Sequence, residues 1–302
     1  MAQQILHYDV IELLGEGAGS TIFLVRDPAT GRNFALKRVV RRKEKDIRFI
    51  EQVETEFAVS KQFTHPNLRR SFELKINKTF LMRKTEAFLV MEYFDGKPLE
   101  VRPPNGLAET IDTFLLAAEG LRAMHALGYI HCDIKPNNIL RDAHGGVKVI
   151  DFGQSIKVGE TKDRIQGTPD YISPEQVERR PMTVQTDIYN LGATIYWSLT
   201  GKPIPTQYTV SRQGKYGFLM DTMIQSPQDL NPKVPLPLSN LVMDCIATNP
   251  KKRPVDMQST IMRLELAKHV LNKDANLNKE ANPVPASDAY EDSDVLDDLG
   301  DA

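Results

Sequence analysis

The chain reads as an α+β protein of two lobes, a small β-rich N-lobe with one helix and a larger, mainly α-helical C-lobe. Two observations lead there. β-type apolar runs fill residues 8–94, and after Asp95-Gly96 the apolar spacing lengthens to that of amphipathic helices. Size agrees, since 302 residues exceed one small core and suit a two-part catalytic unit with a short tail.

In chain order, strands are expected at residues 8–14, 21–25, 33–39, 72–76 and 87–94, several of them bounded by Gly, Asp-Pro or Asn turn signals. One helix interrupts them. Across residues 46–63, Ile47, Ile50, Val53 and Phe57 recur with a helical period, and Glu56 sits beside that stripe. A short polar connector at 92–98 is expected to act as a hinge between an N-lobe of 8–94 and a C-lobe of 98–272. The C-lobe helices are marked by Ile111, Leu115, Ala118 and Leu121, then Ile188, Leu191, Ile195 and Leu199, then Met257, Ile261 and Leu264. From Lys273 the apolar period fades, and the residues after Ser287 include seven acidic and no basic ones, so 273–302 is expected to be an acidic, disordered tail.

Composition excludes several classes. A net charge of -2 with 41% hydrophobic and 26% charged residues argues against a general nucleic-acid or membrane-surface binder. Two cysteines, Cys132 and Cys245, make no disulfide framework and no zinc spacing, which fits a reducing compartment. The N-terminus lacks the basic patch and apolar run of a secretory signal. The uncharged stretch 188–201 is too short to cross a bilayer, so a cytoplasmic protein without a membrane span is expected.

The residues able to do chemistry lie at intervals along this frame. Leu14-Gly15-Glu16-Gly17-Ala18-Gly19-Ser20 joins two strand-like runs, and glycines let backbone amides approach phosphate oxygens; alone, such a turn marks no more than a hairpin. Phe34-Ala35-Leu36-Lys37 sets a lysine among apolar neighbours, where it needs a counter-charge, and Glu56 is the candidate. His131-Cys132-Asp133-Ile134-Lys135-Pro136-Asn137-Asn138 packs an acid, a cation and a carboxamide into six positions. Asp133 can accept a hydroxyl proton, Lys135 can steady a transferring phosphoryl group, and Asn138 can offer an oxygen to magnesium. Asp151-Phe152-Gly153 then places a carboxylate at a strand end, a second magnesium ligand.

In this order the motifs resemble the eukaryotic-type (Hanks-type) protein kinase family, Ser/Thr branch, from about residue 8 to 271. The wording of 167–176 and 187–196 is similar to its bacterial members. The resemblance implies the two-lobed kinase fold, ATP and Mg²⁺, and protein substrates carrying Ser or Thr; it leaves the oligomeric state open. It implies that Gly15 and Gly17 cover the ATP phosphates, that Lys37, held by Glu56, contacts the α- and β-phosphates, and that Asp133 is the base. Leu14, Ile22, Ala35 and Leu140 would form the adenine slot, with Met91 at its back and backbone groups of Glu92 and Phe94 as hinge partners. Asn138 and Asp151 would hold the metal, and Lys135 with Thr168 would favour serine or threonine over tyrosine. Glu175 is expected to pair with Arg253, and Asp187 to support the catalytic loop.

Three departures from the family stand out. Ser20 occupies the third glycine position, with Gly19 at the usual aromatic one; Ser173 replaces an alanine; and Cys132 replaces the arginine that normally receives an activation-loop phosphate. The last implies activity that depends little on phosphorylation at Ser155 or Thr161. Cys132 itself is read as an inert small side chain. The rival readings are a pseudokinase that binds nucleotide without transfer, and a small-molecule kinase, which would generally lack residues 167–175.

Overall fold

The structure, a computed structural model, describes residues 3–17, 19–206, 208–209 and 224–281. Six strands form one antiparallel sheet: β1 (Gln4–Ile5), β2 (Tyr8–Gly17), β3 (Ser20–Arg26), β4 (Asn33–Val40), β5 (Ser71–Lys78) and β6 (Lys84–Glu92), in the order β1-β2-β3-β4-β6-β5. Alternation along β4 sorts its side chains. Ala35 and Val39 are buried with Ala87, Leu89 and Met91 against Ile50 and Val53 of helix α1 (Ile47–Ser60), while Leu36 packs on the other face with Val25, Phe88 and Val90. Lys37 therefore shares the α1-facing side of the sheet, which is what brings it to Glu56.

Beyond the connector 93–96 the chain enters the helical lobe. Its helices include α2 (Gly106–Ala126), α3 (Pro174–Val177), α4 (Val184–Thr200), α5 (Pro227–Leu230), α6 (Leu236–Cys245) and α7 (Met257–Ala281). Short strands β7 (Lys97–Pro98), β9 (Ile139–Arg141) and β10 (Val147–Val149) pair in the order β10-β9-β7, and β8 (Tyr129–Ile130) pairs with β11 (Ile156–Lys157). The expected stripes are the buried ones: Ile111, Ala118 and Leu121, then Ile188, Leu191, Ile195 and Leu199, then Met257, Ile261 and Leu264 belong to one core. Helix α4 is its axis. A Cβ at Gly192 would lie 2.4 Å from that of Cys245, so the glycine sets how closely α4 and α6 approach. Among the described residues no helix is long and apolar enough to cross a membrane.

The C-terminal boundary differs from expectation. Helix α7 continues through Ala281, so residues 273–281 are helical rather than the start of a disordered tail. Lys, Ala, Leu and Glu are strong helix formers and no Gly or Pro intervenes before Pro283, so propensity carries the helix past its last core contacts at Ala267 and Leu271. The rest of the expected tail, 282–302, lies outside the described residues.

One ion pair ties the helical lobe together. Arg253 donates to both carboxylate oxygens of Glu175 at 2.7 and 3.0 Å, and its remaining N–H groups reach the carbonyls of Ala247, Thr248 and Gln185. Both residues are buried. Removing one partner strands a buried charge, so Glu175→Ala should lower unfolding free energy by about 3–5 kcal/mol, measured by urea denaturation. A loss near that of an exposed pair would show that water or a rearrangement compensates.

Candidate active site

The cleft between the lobes has a volume of about 660 Å³, and Leu14, Gly15, Gly17, Ile22, Ala35, Lys37, Glu92, Phe94, Asp133, Lys135, Asn138, Leu140 and Asp151 all line it. Three further expected residues stand behind the wall. Met91, paired across the sheet with Ala35, is wholly buried; Glu56 is buried beneath Lys37; and Thr168 touches the catalytic loop without bordering the cavity.

At the roof, Gly15 and Gly17 lie within β2, paired with Ile22 and Ser20, so neither needs a left-handed backbone. Gly19 does, at φ +89°, and a Cβ there would sit 2.9 Å from the ring of Phe49. The missing aromatic of the loop is thus matched by one from α1, which borders the same cavity from below. At the connector, the N–H of Glu92 is taken by the carbonyl of Arg70 at 2.9 Å. The N–H of Phe94 is bonded by no protein group among the described residues, so the cleft wall offers a donor there.

Charge is concentrated at the inner end. Lys37 Nζ lies 2.7 Å from Glu56 Oε2 and 3.5 Å from Asp151 Oδ1, and Arg69 reaches the other oxygen of Glu56 at 3.5 Å. Burial pulls the Lys37 pKa down, but Asp151 and Glu56 more than offset it and the net shift is upward. Asp151 responds in kind: the Lys37 cation, opposed by burial, holds its carboxyl down to about 2. It is a carboxylate with 41% of its side chain exposed, on a residue with left-handed φ of 65°, while Phe152 next to it is buried edge-on to Phe63 at 4.7 Å. That ring packing fixes where Asp151 emerges.

The catalytic loop is held from beneath. Asp187, fully buried on α4, accepts hydrogen bonds from the backbone N–H groups of His131 and Cys132 at 2.8 and 2.9 Å and contacts His125 Nε2 at 2.8 Å. Burial would raise its carboxyl, but His125 and these donors outweigh it, so the net shift is downward. Cys132 adopts φ 65°, a strained value for a residue with a side chain, and the grip of Asp187 stabilises the turn that aims Asp133 at the cleft. His131 Nε2 contacts the carbonyl of Ile150 at 3.1 Å, which requires a hydrogen there and leaves Nδ1 to accept the Asp133 N–H at 3.3 Å.

Around Asp133 the side chains form a closed set. Lys135 Nζ donates to Asp133 Oδ2 at 2.9 Å and to Thr168 Oγ1 at 2.8 Å, and Thr168 donates to Asp133 Oδ1 at 2.8 Å. Asn138 donates through Nδ2 to the Asp133 carbonyl at 2.8 Å, so its side-chain oxygen is the end left for a cation. Asn138 and Asp151 supply two hard oxygen donors, and among the described residues no cluster of three or more acidic, His or Cys ligands forms. Such a set fits a magnesium ion that shares phosphate oxygens and water.

Several contributors carried no sequence signal. Arg69, the second partner of Glu56, follows an unremarkable leucine. Gln176 donates to the Cys132 carbonyl at 2.7 Å, and Ser173, the alanine replacement, is used to orient it through its hydroxyl at 3.0 Å. Lys162 donates to the carbonyl of Gln154 and, at 3.3 Å, to its side chain, tying the activation segment to the turn after Gly153; burial lowers its pKa. Burial likewise pushes the Cys132 thiol up, which agrees with an inert side chain.

Comparison with known proteins points the same way. A family model described as "Protein kinase domain" matches residues 8–269. The chain is 28% identical to the "Probable serine/threonine-protein kinase PknB" of Lactococcus lactis over 95% of its own length and 49% of that protein's. It is 27% identical to "Serine/threonine-protein kinase PknD" of Chlamydia abortus over 87% of its length and 31% of that protein's. With "Serine/threonine-protein kinase PksC" of Streptomyces coelicolor it shares 29% identity over 82% of its length and 46% of the relative's. The chain spans less than half the length of these curated relatives. With the matching region covering both lobes and every element that frames the cleft, the chain belongs to the protein kinase family.

Proposed function

We propose that this chain is an ATP- and Mg²⁺-dependent protein serine/threonine kinase. The observation that carries the reading is the closed set around Asp133: a carboxylate, a lysine and a threonine hydroxyl within 2.8–2.9 Å of one another at the cleft edge, beside the Lys37–Glu56 pair. The names of the relatives, all serine/threonine-protein kinases, support it.

In this reading Asp133 orients the substrate hydroxyl and accepts its proton, and Lys135 offsets charge on the transferring γ-phosphoryl group of ATP. Lys37, itself fixed by Glu56, holds the α- and β-phosphates. Leu14, Ile22, Ala35 and Leu140 enclose the adenine ring, and the Glu92 carbonyl and Phe94 N–H meet its polar edge. Mg²⁺ held by Asn138 and Asp151 supplies electrostatic stabilisation of the phosphate oxygens. Thr168, bonded to both Lys135 and Asp133, favours an aliphatic hydroxyl. A nucleotide-binding scaffold is the alternative, motivated by Ser20 and Cys132, but neither departure removes a group that the transfer uses.

Purified protein with γ-labelled ATP, Mg²⁺ and a basic protein substrate should place label on phosphoserine or phosphothreonine. Asp133→Asn should cut transfer by ~10²–10⁴-fold while nucleotide still binds, whereas Lys37→Met should weaken both binding and transfer. Full activity in Asp133→Asn would remove the assigned base, and binding with no transfer by the parent would favour the scaffold. Chelation by EDTA should abolish transfer, and added Mg²⁺ should restore it.

Loop phosphorylation should matter little, because Cys132 is no acceptor for a phosphate while Lys162 already anchors the segment. Ser155 is buried, whereas Thr161 is exposed. Phosphatase treatment is expected to leave most of the transfer activity; its complete loss would show that a phosphate is required after all.

A further inference from the structure

The most exposed apolar side chain of the described N-lobe belongs to a cluster well outside the cleft. At the turn joining β5 to β6, Phe80, Leu81 and Met82 are 98%, 69% and 69% exposed. The turn is held by its own bonds: the Thr79 N–H to the Arg83 carbonyl at 2.9 Å, the Met82 N–H to the Thr79 carbonyl at 2.9 Å, and the Thr85 hydroxyl to the Asn77 carbonyl at 3.1 Å. Met82 takes a left-handed φ of 59°, which turns normally give to Gly or Asn. Three large apolar side chains are thus held out in water by a tightly bonded turn, where collapse onto the sheet would have removed them from it.

Charge along the hairpin tip is mainly basic. Residues 74–85 contain Lys75, Lys78, Arg83 and Lys84 and no acid. Lys84 pairs with Glu54 at 2.6 Å, but Lys75, Lys78 and Arg83 are exposed and form no ion pair among the described residues. The Arg41 N–H bonds the Thr85 carbonyl at 2.8 Å, which brings Arg41-Arg42-Lys43 alongside, with Arg41 paired to Glu44 at 3.3 Å. The chain's net charge of -2 hides this, because the seven acids after Ser287 are counted in it.

Shape separates the possible partners. A peptide laid on a sheet edge or in a groove is read by alternate side chains or by a concavity. Here the apolar residues are consecutive and protrude. A convex apolar tip ringed by unpaired cations complements a soft, negatively charged interface. We propose that the β5–β6 hairpin docks the protein on anionic lipid bilayers, with Phe80, Leu81 and Met82 entering the headgroup–acyl boundary and Lys75, Lys78 and Arg83 facing anionic headgroups. None of these residues lines the cleft, so docking leaves the site open.

The test is co-sedimentation of the full chain with vesicles of phosphatidylcholine alone or containing phosphatidylglycerol. Partition should be roughly tenfold or more stronger on the anionic vesicles and weaken with salt. Combined Phe80→Ser, Leu81→Ser and Met82→Ser should abolish it, and Lys75→Glu with Lys78→Glu should reduce it at least roughly fivefold. Both variants should melt and, with a soluble substrate, react as the parent does. Sedimentation that ignores lipid charge, that survives the triple substitution, or that is absent in the parent overturns the proposal. So does capture of a peptide of residues 282–302 by the parent and not by the triple variant without vesicle binding, which would make the acidic tail the occupant. Vesicle binding is read without catalysis, so its failure is distinct from failure of the kinase reading.

Discussion

A lysine with only 13% of its side chain exposed, on the wall of a cleft, needs counter-charges to stay charged, and the architecture around Lys37 supplies them. The sheet brings the ammonium, α1 brings Glu56, and the turn after β10 brings Asp151. Each comes from a different part of the fold. If α1 swung away, Glu56 would travel with it, and both Lys37 and Arg69 would lose their carboxylate partner. The described arrangement therefore satisfies all four charges at once, and intermediate placements of α1 would leave one of them unpaired in a poorly solvated site.

A second buried carboxylate plays the corresponding part in the helical lobe. Asp187 has no exposure, and its acceptor capacity is spent on two backbone N–H groups and His125. Through those bonds the rigidity of α4, itself locked by Gly192 against Cys245, reaches a backbone turn that a non-glycine residue would otherwise resist. The strain at Cys132 is thus stabilised by a helix buried along most of its length. The Glu175–Arg253 pair extends the same frame to the segment carrying Thr168.

Much of this was legible in the residue order, and the reasons are physical. Strands and helices declared themselves because each buries one face, so Ala35 and Val39 or Ile188, Leu191 and Ile195 had to recur with the period of their element. Lys37, Asp133, Asn138 and Asp151 stood out because charged or amide groups set in apolar strands and loops need a use. Arg69, Lys162 and Gln176 did not, since a lone polar residue outside an apolar run has no period to mark it. The end of α7 was misplaced for a related reason. Apolar periodicity reports packing, and where packing ceases a helix can persist on propensity alone. Net charge was silent on the basic hairpin, because an average over the whole chain does not register where its charges lie.

Both sulfhydryl groups of the molecule lie inside it, Cys132 at 1% and Cys245 at 0% exposure, one in the catalytic loop and one at the end of α6. A thiol reagent can reach either sulfur only after its surroundings open, so the two sites act as native clocks for two separate motions. Labelling at Cys132 times the release of the loop from Asp187, whereas labelling at Cys245 times the parting of α6 from α4. Their ratio would measure how far the loosening of the reactive centre is independent of the unfolding of the scaffold beneath it.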